Sequence, residues 1–319
     1  MQWRGPAQML KAIKQRVKNL LETILDVEIR NRKRRIPGMI STEERLFLMK
    51  CGRLMADEPG AIVDLGTWLG ASSASLAEGV KESGFPGRNN DSMIFSIDRF
   101  RWEESMQVSY LSRHAHLHYL PGESFLPQSR TYLREYNEEI ELIESDLEKY
   151  EWERGPIKIL HVDAMKSEGL SRQIARSFFP SLAENSILIY QDFKHWYTPW
   201  VHLIHFRLKE RFKPMHEVET GGSVAFRTRE TLSEDEIARA TALNSISEEE
   251  VQRAFEYSFS ITKKKYDPKI AAAHVMYFVH QNQRKKAMEL YKKYSKVGCA
   301  NDADMIKTLD FMESRFRDA

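Results

Sequence analysis

Apolar residues near the start of the chain recur at helical spacing. Leu10, Ile13, Val17, Leu20, Leu21, Ile24 and Leu25 share one face, with Lys11, Lys14, Arg16 and Lys18 on the others. This pattern predicts a basic amphipathic helix over residues 9–29, packed on its own domain or on a second subunit. The basic run Arg30 to Arg35 and the pair Pro37-Gly38 break it. Ser41, with Glu44 three residues on, marks the capped start of a second helix. After Pro59-Gly60 the period changes: Ala61 to Leu65, Met93 to Ile97, Glu139 to Ile143, Ile157 to Val162 and Ser186 to Tyr190 are short apolar runs between longer helical stretches. Such alternation predicts βαβ units, an α/β chain with a mainly parallel sheet and helices on both faces. Gly221 to Phe226 reads as a late strand, at an edge or in a hairpin. Strand signals end at Thr231. Ser233 with Glu236 and Ser247 with Glu250 then mark helix starts, and further helices are expected over 268–281, 283–296 and 301–316. The chain thus divides into an N-terminal amphipathic helix and linker (1–37), an α/β domain (38–229) and a helical appendage (230–319).

Composition narrows the class. Of the 319 residues 42% are hydrophobic, enough for a core. No stretch approaches the roughly 18 unbroken apolar residues of a membrane span, and no secretory signal opens the chain, so the expected location is cytoplasmic. Cys51 and Cys299 are too few and too far apart in sequence for a disulfide framework or a zinc knuckle. A net charge of +2 argues against a nucleic-acid partner outside the basic run.

Chemistry concentrates in VDLGTWLGASS, Val63 to Ser73: an apolar strand ending on an acid, a turn with Gly66 and Gly70, then small residues opening a helix. Gly66 permits close backbone approach, Gly70 permits tight packing at the helix entry, and the helix start can bind a carboxylate. Asp64 can face an amine, so a zwitterionic amino-acid tail fits. The next strand ends on Asp98, placed to accept hydrogen bonds from two ribose hydroxyls. The glycine spacing lacks the third glycine of a dinucleotide fingerprint, since Ser73 holds that position. S-adenosylmethionine fits better than NAD, although an NAD-dependent oxidoreductase and a non-catalytic binding protein stay as alternatives.

With these residues in place the chain resembles the class I S-adenosylmethionine-dependent methyltransferases, which have a Rossmann-like sheet. Within them it is similar to the small-molecule O-methyltransferases of the catechol and caffeoyl-CoA type and to macrocin-type sugar O-methyltransferases. GMISTEE (Gly38 to Glu44), VDLGTWLGAS, IFSID (Ile94 to Asp98), ILHVDAMKS (Ile159 to Ser167) and ILIYQDFKHW (Ile187 to Trp196) carry the likeness, over about residues 38–228. The resemblance implies that Asp64, Gly66, Thr67, Gly70 and Ser72 hold the amino-acid tail, that Asp98 holds the ribose, and that Ser145 and Asp146 lie at the adenine. It places Asp163 on a metal-ligating aspartate and Lys166 on a catalytic lysine. Relatives that use magnesium set two more oxygen ligands after the next strand; here those positions are Gln191 and Asp192. A site of Asp163, Gln191 and Asp192 has less charge than magnesium prefers, which leaves metal dependence open.

Methyl transfer needs near-attack geometry, exclusion of water and removal of a proton from the acceptor, a small molecule or glycosyl group. Lys166, Asp192 and His195 are the base candidates; histidine serves near neutral pH, whereas lysine needs a lowered pKa. Trp196, Tyr197 and Trp200 are candidates for an acceptor wall, with core packing as the alternative. Residues 101–136 are a candidate lid. His114, His116 and His118 alternate as on a strand face but lack accompanying ligands, so no metal is assigned to them. A homodimer is expected from the amphipathic ends.

Overall fold

The computed structural model describes residues 36–84, 93–103 and 116–317. The expected helix over 9–29, the basic run and His114 lie outside these residues. Ser41 caps α1 (Thr42–Leu54): its hydroxyl accepts from Glu44 N at 3.1 Å while the Glu44 carboxylate accepts from Ser41 N at 2.7 Å. Then follow β1 (Ala61–Leu65), α2 (Ala71–Glu82), β2 (Ile94–Asp98), α3 (Leu126–Leu133), β3 (Ile140–Glu144), β4 (Ile157–Val162), α4 (Glu168–Phe178), β5 (Leu182–Tyr190) and α5 (Pro199–Leu208). A hairpin of β6 (Phe212–Glu217) and β7 (Val224–Thr228) completes the sheet, before α6 (Glu234–Ala240), α7 (Glu248–Ser260), α8 (Pro268–His280), α9 (Arg284–Tyr294) and α10 (Ala303–Arg315).

The strand order is β3-β2-β1-β4-β5-β7-β6. The first five strands are parallel; β7 runs antiparallel to both β5 and β6. β1 therefore sits between β2 and β4, where the connections change direction, and the carboxyl ends of the strands open a crevice there. A dinucleotide sheet of order 3-2-1-4-5-6 has no inserted antiparallel strand. β7 occupies the interior position next to β5, so GGSVAF leads into an internal strand and the edge falls to β6. The sequence FKPMHE hid β6 because Pro214 and a run of exposed positions, without apolar alternation, suit an edge open to water.

Alternation along the strands divides the core into two faces. Ile62, Ile94, Ile159, Ile187 and Ile189 pack beneath Phe47 and Leu48 of α1 and Leu76 of α2. Val63, Leu65, Leu160, Val162 and Leu188 face Ile174 and Phe178 of α4 and Leu203 and Ile204 of α5. That second core continues unbroken into Phe255 of α7 and Ile270, Val275 and Met276 of α8. At about 1.5–3 kcal/mol per fully buried large apolar side chain, this shared core ties the appendage to the sheet. Among the described residues no helix is long and apolar enough to cross a membrane.

Glu44 does more than cap α1. Buried to 2% exposure, its Oε1 accepts from Gly222 N (3.0 Å), Ser223 N (3.2 Å) and Ser223 Oγ (2.6 Å). It thereby fixes the turn between β6 and β7 to the helix before β1. Glu44→Ala leaves several donors without an acceptor, and a stability loss of about 3–5 kcal/mol is expected from chemical denaturation. A loss below about 1 kcal/mol shows that water replaces the carboxylate.

Candidate active site

The turn after β1 is built around Asp64, which is 0% exposed. Its Oδ2 accepts from the hydroxyls of Ser72 (2.7 Å) and Ser73, and its Oδ1 faces His161 Nδ1 at 2.7 Å. Ser73 spends its only proton on Asp64, so Thr67 Oγ1 and Ser96 Oγ, both within hydrogen-bond distance, donate to Ser73. Burial opposes ionisation of Asp64, but His161, Ser73 and Ser72 together hold its carboxyl below the usual range. Burial likewise disfavours charge on His161, and the bond to Asp64 outweighs it, leaving the imidazole above its ordinary pKa. The sequence suggested that Asp64 faces an amine; the structure turns it inward.

Gly66 (φ +80°) and Gly70 (φ +99°) adopt left-handed backbone. A Cβ on Gly66 would lie 2.3 Å from the carbonyl oxygen of Asp163, and one on Gly70 would lie 2.6 Å from Leu133 Cδ1. Both glycines are thus required by packing of the turn itself. Gly70 caps α2 without a side-chain hydrogen bond. The first N–H groups of that helix therefore have no side-chain cap, as a helix start that can receive an anion requires.

Asp98 ends β2. Its Oδ2 accepts from Trp68 N (3.0 Å) and its Oδ1 from Phe100 N (2.7 Å). Trp68 and Phe100 both have φ +49°, a conformation costly for aromatic residues, so one carboxylate holds two strained turns. Burial pushes the Asp98 carboxyl up, against the pull of those two N–H groups. Ser145 N donates to the Asp98 carbonyl at 2.9 Å, which brings Ser145 and Asp146 alongside. Trp68, Phe100, Trp102, Leu117 and Phe125 form a separate apolar cluster over this side of the turn. It contains part of the segment expected as a lid; residues 104–115 lie outside the described residues.

Across the crevice, Asp163 follows β4 and Asp192 follows β5. Lys166 Nζ bonds Asp163 Oδ1 at 3.0 Å and also Asp192 Oδ2. The Gln191 amide lies against both acids, 2.9 Å from Asp192 Oδ1 and 3.2 Å from Asp163 Oδ1, and its NH2 would donate to them if turned to that side. Burial pushes Asp163 up to about 7 and Asp192 adds to this, while Lys166 pulls the other way. Asp192 is held low: burial opposes this, but Lys166 and then His195 dominate. Burial also works against charge on Lys166, and the two acids reverse it, so the amine stays protonated. A lysine base requires the opposite shift. Burial instead lowers the pKa of His195, with Asp192 opposing, and its buried Nδ1 has no hydrogen-bond partner among the described residues.

Magnesium takes oxygen ligands in near-octahedral array. Here Lys166 Nζ already sits on both Asp163 and Asp192, so a magnesium ion would have to displace an ammonium to reach these carboxylates. His195 leads into Trp196, Tyr197 and Trp200, which the appendage covers. His280 of α8 packs on Tyr197 (4.8 Å between centroids) and Trp200 (4.7 Å), and Phe311 of α10 packs on Trp196 (5.9 Å) and Tyr197 (5.6 Å). Trp200 Nε1 donates to the Met165 carbonyl at 3.0 Å, fixing the loop between Asp163 and Lys166.

The expected residues fall in two groups, the glycine turn with Asp98 and Ser145-Asp146, and the Asp163–Lys166–Gln191–Asp192–His195 cluster. Sequence reasoning missed His161 and Ser73. A lone histidine within the apolar run Ile157 to Val162 was the available signal for the first.

Residues 63–193 match the family described as "Methyltransferase domain". Comparison with curated proteins gave no match. Similar solved structures include the O-methyltransferase NovP (13% identity, 60% of this chain and 82% of that one, TM-score 0.46). Others are the calicheamicin methyltransferase CalS11 (14%, 63% and 91%, 0.42) and the SAH-bound methyltransferase PaMTH1 of Podospora anserina (15%, 72% and 99%, 0.39). Nothing of their substrates is carried over at such identities. Residues 63–193 are thus similar to a methyltransferase domain.

Proposed function

We propose that this chain transfers a methyl group from S-adenosylmethionine to an oxygen of a small molecule or glycosyl group. The observation that carries the reading is the cluster of Asp163, Lys166, Asp192 and His195 at the carboxyl ends of β4 and β5, across the switch point from Asp98. The uncapped start of α2 suits the carboxylate of the amino-acid tail, Asp98 suits the ribose hydroxyls, and Ser145 and Asp146 suit the adenine. When bound, the cofactor supplies a methyl group activated by its sulfonium. Lys166, kept charged by its two acids, steadies negative charge on the acceptor oxygen. His195, kept neutral by burial, takes the hydroxyl proton as the oxygen–carbon bond forms and the carbon–sulfur bond breaks. The wall of Trp196, Tyr197 and Phe311 orients the acceptor and excludes water. A homodimer belongs to the same proposal.

Calorimetric titration with S-adenosylhomocysteine, with and without magnesium and with NAD as control, tests the reading. Saturable binding of S-adenosylhomocysteine alone supports it; preferential binding of NAD overturns it. His195→Gln is expected to lower turnover by roughly 100- to 10,000-fold and leave S-adenosylhomocysteine affinity unchanged. In the unaltered chain the low-pH limb of activity is expected below the ordinary histidine range, because burial lowers the His195 pKa. Undiminished turnover in His195→Gln removes His195 from the proton path.

A further inference from the structure

His161 is opposite Asp64 in the β1–β4 pairing, and both side chains are enclosed, at 1% and 0% exposure. Nothing in the proposed methyl transfer uses it. His161 projects to the same face as Ile159, beneath α1 and α2, while the acceptor cluster begins two residues later at the end of β4. Its Nδ1 lies 2.7 Å from Asp64 Oδ1, and its Nε2 is buried with no partner among the described residues. The other Asp64 oxygen receives two hydroxyls from the first turn of α2, and one of them, Ser73, receives Thr67 and Ser96 in turn. Asp64 thus has no surface left for a ligand. It is an internal anion on which the turn and the helix start are assembled.

We infer that His161 is a positioning residue of the cofactor site, whose Nδ1–H locks Asp64 so that Ser72, Ser73 and Thr67 set the backbone of residues 66–73 for the ligand. The inference rests on the reading that this turn holds S-adenosylmethionine. Geometry supports a specific rather than a general role. The bond to Asp64 joins neighbouring strands that their ladder already pairs, so it adds little to sheet assembly. It does fix which rotamer Asp64 adopts, and through it the direction of three hydroxyls. A carboxylate released from Nδ1 turns toward the crevice and toward water, and the start of α2 loses its template.

The experiment compares His161→Leu, His161→Asn and Ser73→Ala with the unaltered chain, using S-adenosylhomocysteine calorimetry and amide hydrogen exchange. Failure of the unaltered chain to bind removes the cofactor reading itself and with it this inference. Given binding, His161→Leu is expected to lose at least tenfold in affinity, with faster exchange confined to residues 66–73. His161→Asn places an amide N–H where Nδ1 stood and is expected to bind within about threefold of the unaltered chain. Ser73→Ala, which keeps Asp64 and His161, is expected to lose severalfold and settles the matter if His161→Leu does not fold. Undiminished affinity in Ser73→Ala, or in a folded His161→Leu, overturns the inference, as does an equal loss in the asparagine variant.

Discussion

Asp98→Ala is expected to weaken S-adenosylhomocysteine binding by about 100-fold or more, the largest change from any single side chain on the cofactor side. Two losses combine. A carboxylate accepting from ribose hydroxyls makes charge-assisted bonds of roughly 1.5–3 kcal/mol, where about 1.4 kcal/mol is tenfold in affinity. The same carboxylate restrains Trp68 and Phe100 in left-handed backbone, and without it both turns relax away from the crevice. Asp98→Asn keeps an acceptor of the right shape and is expected to retain part of the affinity. Calorimetry decides: a loss below about fivefold in Asp98→Ala removes Asp98 from the ribose contact.

The second large effect is acid lability. His202 and His205 of α5 and His274 of α8 lie in the shared core at 0–1% exposure, and burial pushes each pKa down to about 3. These groups stay neutral in the folded chain while the unfolded chain protonates them below about pH 6.5. Stability is complete above that value and is lost as pH falls toward the folded pKa, at about 1.4 kcal/mol per pH unit for each histidine. Asp163, raised to about 7, works in the opposite sense over the same range, since the folded chain binds its proton more tightly. These four groups alone net about two protons, near 3 kcal/mol per pH unit between pH 6.5 and 4.5; the lowered His195, His216 and His280 steepen the slope and the raised Asp98 opposes it. Denaturant unfolding at several pH values measures the slope, and a flat profile contradicts it. His205 has neither ring nitrogen hydrogen-bonded among the described residues and lies 3.9 Å from the Phe226 ring. His205→Leu is therefore expected to stabilise the chain, most of all at pH 5, and to reduce the slope by one proton.

Much of the fold was legible because single residues carried it. Ala61 to Leu65 and Ile157 to Val162 are strands over those bounds, and Ser41 with Glu44 and Ser233 with Glu236 form capping boxes. Apolar strand runs and caps are local signals, and they survive tertiary packing. β6 was not legible, because an edge strand facing water needs no apolar alternation. The two groups of candidate residues could be placed at strand ends, but their orientation could not. Whether Asp64 looks into the crevice or into the protein depends on His161, 97 residues away in sequence. The charge state of Lys166 likewise depends on Asp192, which only the β4–β5 pairing brings alongside. Long-range neighbours decide a side chain's chemistry, and no local pattern records them.

The bond between Glu44 and the β6–β7 turn also constrains how the chain can be made. Gly222 and Ser223 follow Glu44 by 178 and 179 residues, so its contacts to them cannot form until most of the polypeptide has left the ribosome. Until then the N-terminal part carries a carboxylate destined for burial with these partners missing, and loops of that length close slowly. A nascent chain that ends before Ser223 is therefore expected to leave α1 unpinned, and hydrogen-exchange protection around Glu44 to arrive only once the last hairpin has docked.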